Sequence, residues 1–233
     1  MRCVNCGWEN PERARFCSNC GQALQVIVQE NALGTQEDNE IEKELKIYDH
    51  AIKINPQNAV AWYNKGIVLG KLGRYQESLK CFDHAIEINP QLTVAWVGKG
   101  VILGKLGHNQ KALGCFDHAI EINPQLVEAW YNKGVILREL GRYQEALECF
   151  DHAVEINPQD ADIWVNKGIV LGELERYEEA LECFDRATEI DPQLATAWAG
   201  KGVILKKLKR ELEALECFNR AIEINPQLLE KLR

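Results

Sequence analysis

The sequence predicts an all-α solenoid built from stacked antiparallel helical hairpins. The first observation behind this prediction is a fixed period of 34 residues, at which tryptophan, proline and cysteine recur without drift. A unit of this length cannot bury its apolar face alone, so strict repetition indicates that neighbouring units stack. The recurring positions are Trp62, Trp96, Trp130, Trp164 and Trp198; Pro56, Pro90, Pro124, Pro158, Pro192 and Pro226; and Cys81, Cys115, Cys149, Cys183 and Cys217.

The second observation is the spacing of apolar residues inside one unit, residues 129–159, where they recur every three or four positions. This is the period of an amphipathic helix. Gly141 lies where a first helix ends, and Pro158 follows the end of a second. The apolar positions are Trp130, Val135, Leu137 and Leu140 in the first helix, and Tyr143, Ala146, Leu147, Phe150, Ala153 and Val154 in the second. Two short helices joined by a glycine turn predict an antiparallel hairpin.

A glycine also lies inside each first helix, where it costs about 1 kcal/mol relative to alanine. Its recurrence predicts a close approach of the two helices, with Gly134 and Ala146 at the crossing and Trp130 and Phe150 filling the space around them. The five glycines are Gly66, Gly100, Gly134, Gly168 and Gly202.

The residue types and spacing of the third unit are those of a known repeat: Trp130, Gly134, Ala146, Phe150, Ala153 and Pro158. The unit resembles the tetratricopeptide repeat, and five such units cover residues 59–228. The resemblance implies a right-handed superhelix. Position seven departs from the usual leucine and is lysine in every copy, so we expect its methylene stem to lie on the core and its ammonium in water. These lysines are Lys65, Lys99, Lys133, Lys167 and Lys201.

The two ends of the array differ in their pattern. Residues 41–58 match the second half of a repeat, and we expect this lone helix to cap the N-terminal end of the stack. Residues 229–233 form a short C-terminal tail, in which leucines begin what would be another first helix. Either the tail folds back as a one-turn cap, or it contacts another molecule.

Residues 1–24 form a separate module with two pairs of cysteines. Each pair has the spacing Cys-x2-Cys, and each is followed by glycine; the four are Cys3, Cys6, Cys17 and Cys20. Four thiolates at this spacing suit one tetrahedral Zn²⁺, and a module this small has too little core to fold without a metal. The pattern is similar to short zinc ribbons. A four-cysteine site is closed and structural, and residues 25–40 follow it as an acidic linker.

The charge and hydropathy of the chain exclude several classes of protein. The net charge is −8 and the array has no polybasic face, which argues against nucleic-acid binding by the repeats. Arg13 and Arg15, with Trp8 and Phe16, offer the zinc ribbon a small nucleic-acid-binding tip, but we favour aromatic cover of the zinc site. No apolar run is long enough to span a membrane or to act as a secretory signal. We therefore expect a soluble cytoplasmic protein without membrane contact.

The sequence also predicts that the protein is not an enzyme. Three repeats carry a cysteine and a histidine three residues apart on one helix face, beginning with Cys81 and His84. Adjacent pairs are too far apart to share a metal ion, and the last two repeats carry Arg186 and Arg220 instead of histidine. We interpret the cysteines as packing residues and the histidines as solvated. No phosphate loop, dinucleotide fingerprint or carboxylate dyad is present.

The resemblance implies that the first helices line a concave, ligand-binding face. Carried onto this chain, it predicts a groove formed by Tyr63, Asn64, Ile67, Val97, Val101, Tyr131, Asn132, Val135, Val165, Asn166, Ile169 and Val203. Helical geometry supports the choice, because these repeat positions share one face. The asparagines can pair with a peptide backbone in both directions.

Three hypotheses compete for the function of this array. The favoured one is an adaptor or scaffold that binds an extended peptide or a partner's helix in the groove. The first alternative is a structural protein that self-associates through the ends of its array. The second is an adaptor that the zinc ribbon targets to nucleic acid or to the translation machinery. The sequence does not identify the partner.

Overall fold

A computed structural model describes residues 36–227, with side chains from residue 41 onward. The predicted zinc ribbon, most of the acidic linker and the C-terminal tail lie outside the described residues. Every regular element in the described range is an α-helix. In chain order these are α1 (Gln36–Ile54), α2 (Ala59–Lys71), α3 (Tyr75–Ile88), α4 (Thr93–Lys105), α5 (Asn109–Ile122), α6 (Val127–Glu139), α7 (Tyr143–Ile156), α8 (Ala161–Glu173), α9 (Tyr177–Ile190), α10 (Ala195–Lys207) and α11 (Glu211–Ile224).

Helices α2 to α11 form five antiparallel hairpins, each with a 13-residue first helix and a 14-residue second helix. Each hairpin packs on the next, and the predicted all-α solenoid is confirmed. Gly141 ends a first helix in the left-handed region, with φ of 72°. Arg142 then donates its backbone N–H to the carbonyl of Leu137 at 2.9 Å, which closes the turn. Glu175 and Lys209 hold the same conformation in the last two repeats, with φ of 58° and 60°.

Helix α1 begins at Gln36, five residues before the predicted start of helical structure. The contacts of the chain divide it into two units, Met1–Glu44 and Leu45–Arg233, with the boundary inside α1.

Across residues 36–227 we find no helix that combines the length and the apolar character needed to span a membrane.

The core of each hairpin is a phenylalanine ring packed against the glycine of the first helix. Phe150 is fully buried, and a Cβ atom added to Gly134 would lie 2.9 Å from its Cε1 atom. The glycine is therefore needed to make room for an aromatic ring rather than for a second backbone. Trp130 is only half-buried and lies at the edge of the repeat, where its indole N–H donates to the carbonyl of Pro124 at 2.9 Å.

The lysine at position seven joins neighbouring repeats. The ammonium of Lys133 lies 2.6 Å from the carboxylate of Asp117 in the preceding repeat and 5.7 Å from the ring centre of Trp130. Each of these ammonium groups, which we expected to lie in water, pairs with a half-exposed aspartate and also lies over an indole. The other pairs are Lys65–Asp49, Lys99–Asp83, Lys167–Asp151 and Lys201–Asp185, at 2.6 to 2.8 Å.

The first helices lie closer together than the second helices. Each of α2, α4, α6 and α8 contacts the next first helix, whereas among the described residues no second helix contacts the next second helix. The array of hairpins therefore curves with its first helices on the inner side. The predicted groove positions all belong to these first helices.

An arginine–glutamate pair at the start of four second helices gives the stability of the array a pH dependence. The hydrogen bonds from Arg142 lower the pKa of Glu145, and the same holds at Glu77, Glu179 and Glu213. A lowered pKa in the folded state stabilises the fold above the unfolded pKa of about 4.3, and this contribution is lost as the pH falls through the folded pKa. We expect the urea midpoint to fall on acidification less steeply when all four glutamates are replaced by glutamine. Parallel pH profiles for the two proteins would contradict this.

Candidate functional site

Four cavities along the described part of the array are lined largely by first-helix residues. Nine of the twelve predicted groove residues line at least one of them: Tyr63, Ile67, Val97, Val101, Tyr131, Asn132, Val135, Ile169 and Val203. Most of the residues predicted for the groove therefore border a cavity.

The most apolar of these cavities lies between α2 and α4 and has a volume of about 330 Å³. Tyr63, Ile67, Val97 and Val101 line it, and the buried ring of Phe82 lies at its base. The floor of this cavity also includes Gly98, where an added Cβ atom would lie 2.7 Å from the Phe82 ring. Lys71 and Lys105 contribute cationic groups to the same cavity, and Glu128 contributes one carboxylate, so cationic groups predominate. Such a site suits an apolar side chain with an acidic neighbour.

A second cavity of this construction lies between α8 and α10, with a volume of about 320 Å³. Ile169 and Val203 line it, and Gly200 packs directly on the ring of Phe184 at its floor. Gly98 and Gly200 are three repeat periods apart, and they replace the asparagine that the other three repeats carry at this position. The repeats are therefore not interchangeable along the groove.

The middle of the groove is more polar. A cavity of about 340 Å³ is lined by Tyr131 and Asn132 together with the carboxylates of Glu128, Asp160 and Asp162. The Asn132 amide donates to the backbone carbonyl of Glu128 at 2.6 Å, which leaves its carbonyl oxygen free to accept. Acidic groups here suit a ligand with donors or positive charge at this point.

Three predicted residues line none of these cavities: Asn64, Val165 and Asn166. Asn64 is half-buried, whereas Val165 is only 5% exposed and belongs to the hydrophobic core. The Asn166 amide donates to the Asp162 carbonyl at 2.9 Å and to the Tyr131 hydroxyl at 3.1 Å, and its oxygen accepts from Arg138 at 2.6 Å. Because these bonds use both donors, Asn166 holds Tyr131 and Arg138 in place.

Tyr131 has two roles in the structure. Its ring packs edge-on against Phe150 at a centroid distance of 6.0 Å, and burial raises the pKa of its hydroxyl.

Sequence reasoning left Phe82, Val94 and Leu126 out of the groove, although they line the α2–α4 cavity. The sequence could have indicated Val94, because the resemblance implies that the second residue of each repeat also lies on the concave face.

The cysteines and histidines of the repeats do not form a reactive centre. Burial raises the pKa of the Cys149 thiol to about 11 and that of Cys183 to about 12, so both thiols stay protonated at neutral pH. His152 packs on Trp130 with a centroid distance of 4.4 Å, and Glu155 is its neighbour at 3.6 Å. The interpretation of the cysteines as packing residues is confirmed by their burial. In the described range, no group of three potential metal-ligating side chains comes together.

The fold and its groove define a class of helical repeat proteins, and comparison with known families agrees. Residues 59–92, 94–126, 125–193 and 159–227 match the tetratricopeptide repeat, and residues 2–24 match the zinc-ribbon domain. Residues 41–72 also match the protein prenyltransferase alpha subunit repeat. The chain belongs to the tetratricopeptide repeat family and carries an N-terminal zinc-ribbon domain.

Three individual proteins illustrate the similarity. The chain is similar to YrrB, described as a tetratricopeptide repeat protein with an unusual peptide-binding site, at 27% identity and a TM-score of 0.63, over 77% of this chain and 92% of YrrB. MamA from Desulfovibrio magneticus RS-1 is 22% identical with a TM-score of 0.66, over 72% of this chain and 96% of MamA, and shows the shared fold. An uncharacterized protein of Methanocaldococcus jannaschii is 44% identical over 39 residues, which span 17% of this chain and 45% of that protein.

Proposed function

We propose that the protein is a non-enzymatic adaptor that binds a segment of a partner protein in its concave groove. The observation that carries this proposal is the apolar cavity between α2 and α4, lined by four residues that the repeat pattern had assigned to the groove. The similarity to YrrB, whose structure is described as having a peptide-binding site, supports it.

The chemistry of the groove favours an extended peptide with an apolar anchor. An apolar side chain of the ligand enters the α2–α4 cavity, and a neighbouring acidic side chain meets Lys71 and Lys105. Further along the ligand, the free carbonyl oxygen of Asn132 accepts a backbone N–H. The β-branched walls add contact area without losing much side-chain freedom.

The proposal predicts that Val101→Lys weakens partner binding at least about tenfold, because the ammonium fills an apolar anchor site. Leu140→Lys is the control, since Leu140 is apolar and exposed, whereas Val101 is half-buried, and Leu140 lines none of the four cavities. Partners are captured from native lysate with the wild-type protein and identified by mass spectrometry. Peptides from them are then titrated calorimetrically against all three proteins. Equal affinities for the Val101→Lys and Leu140→Lys variants would contradict groove binding.

The nucleic-acid alternative is separated by repeating the capture with nuclease and with a protein lacking residues 1–40. Binding that survives both treatments supports the array as the recognition element. Binding that depends on the zinc-ribbon domain and disappears with nuclease would instead assign the function to residues 1–24. In that case neither Val101→Lys nor Leu140→Lys would change the affinity for the partner.

We further propose that the four cysteines of the zinc-ribbon domain hold one structural Zn²⁺. They lie outside the described residues, and their donor chemistry fits the metal, since four thiolates complete a tetrahedral shell. We expect a strong chelator to release one zinc ion and to make four of the nine thiols reactive at neutral pH. The five array thiols are buried and should react only after unfolding.

This prediction is checked by thiol titration and metal analysis before and after chelation, with helicity followed by circular dichroism. The helical signal should persist after chelation, because the array has its own core. Nine reactive thiols after chelation, or a collapse of the helical signal, would contradict the separation of the two modules.

A further inference from the structure

The outer face of α11 differs from the same face of the other second helices. In α3, α5, α7 and α9 part of this face packs against the first helix of the next repeat, while the positions equivalent to Leu212 stay exposed. Within residues 36–227 no further helix follows α11. Its Phe218 is only half-buried, whereas the equivalent Phe184 is 1% exposed. The end of the described array is therefore an open helical face.

One residue on this face has changed from polar to apolar. Leu212 is 80% exposed, although the equivalent residues of the other repeats are exposed polar side chains. These are Gln76, Gln110, Gln144 and Glu178. Leu212 and the exposed Leu215 together give this repeat an apolar surface that the other described repeats do not expose at the same positions.

A second residue has lost its charge. Asn219 occupies the position at which the five preceding helices of this type carry an aspartate, each paired with a lysine of the following repeat. The face of α11 therefore lacks the carboxylate that would receive another first helix with lysine at position seven. A further repeat of the same kind, or a head-to-tail copy that imitates one, would leave this lysine unpaired.

The two changed residues lie on one stripe. Leu212, Leu215, Asn219 and Ile222 are separated by three, four and three residues, which places them on a single helix face with the spacing of a coiled-coil seam. Leu215 is 57% exposed. The stripe is thus apolar with one amide near its centre, and a central asparagine of this kind selects register and partner number in paired helices.

We propose that this stripe of α11 is a dimer interface, and that its occupant is the same stripe of a second copy of the chain. In a two-fold contact each residue near the axis meets its own counterpart. An asparagine amide both donates and accepts, so it can pair with itself. An aspartate there would place two carboxylates together, which accounts for the loss of charge at position 219. The leucines supply the buried apolar area around the amide.

The first test is the mass of the full chain in solution, measured by sedimentation and light scattering from micromolar to millimolar concentration. The proposal expects a monomer–dimer equilibrium that saturates at twice the monomer mass. A monomer throughout this range, or assemblies that keep growing beyond the dimer, would overturn it. Continued growth would indicate head-to-tail contacts between opposite ends of the array.

Leu212→Gln restores the residue of the first three repeats and should raise the dimer dissociation constant at least about tenfold. Gln144→Leu makes the converse change on an interior repeat and is the control for non-specific hydrophobic association. We expect it to leave the dimer dissociation constant unchanged. If Leu212→Gln instead lowers the melting temperature of a protein that is monomeric, residues of the same chain cover the stripe and the proposal fails.

The sharpest test uses charge complementation at position 219. Asn219→Asp and Asn219→Lys should each weaken the dimer, because like charges meet across the two-fold axis. An equimolar mixture of the two variants should recover dimer, since unlike charges then face each other. A mixture that dimerises no better than the single variants would show that residue 219 does not meet its own counterpart, and would overturn the two-fold arrangement.

Discussion

Replacing Phe150 with alanine is expected to lower the free energy of unfolding by about 3–5 kcal/mol. The ring is fully buried and packs on Gly134, so its removal leaves a cavity between the two helices of a central hairpin. The hairpins on either side rest on the same core, so the space cannot close without moving them. Urea denaturation followed by far-UV circular dichroism measures the loss.

Phe218→Ala is the matched control for this prediction. The side chain is identical and holds the same repeat position, but it is only half-buried at the end of the described array. We expect it to cost about 1–2 kcal/mol, because less apolar area leaves water. Equal losses at the two positions would show that stacking of the next repeat adds nothing to the burial of the ring.

Gly100→Ala is expected to destabilise the array by about 1–3 kcal/mol, although alanine is the better helix former by about 1 kcal/mol. The added methyl group would lie 2.6 Å from Cε1 of Phe116, so this fully buried ring would have to shift within the core. The steric term therefore exceeds the gain in helix propensity. The urea midpoint should fall.

The same substitution at Gly114 should have the opposite sign. Gly114 lies inside α5, and apart from the nearby backbone of that helix nothing lies within 4 Å of the position that a Cβ atom would take. Only the helix-propensity term remains, so Gly114→Ala should stabilise the protein by about 0.5–1 kcal/mol. A shift of the urea midpoint in the same direction for both variants would refute the packing role assigned to the first-helix glycines.

The sequence predicted the hairpins because their signals are local and repeated. The apolar period, the Gly141 turn and the Pro158 stop each specify backbone geometry over a few residues, and repetition removes the ambiguity of a single copy. Helix geometry also predicted the concave positions. It could not predict how Val165 and Asn166 are buried or bonded, because that depends on which neighbouring side chain reaches them, and Arg138 lies 28 residues from Asn166.

By itself, the sequence determined that this chain is an array of tetratricopeptide hairpins with a cysteine-rich module in front of it. Only the tertiary structure decided that Lys133 joins two repeats through Asp117, and that Gly98 opens a cavity above Phe82. Both are contacts between residues in different repeats. A periodic pattern fixes how each hairpin folds, but contacts between hairpins depend on the angle and distance at which they stack, and these come from the packing of whole surfaces.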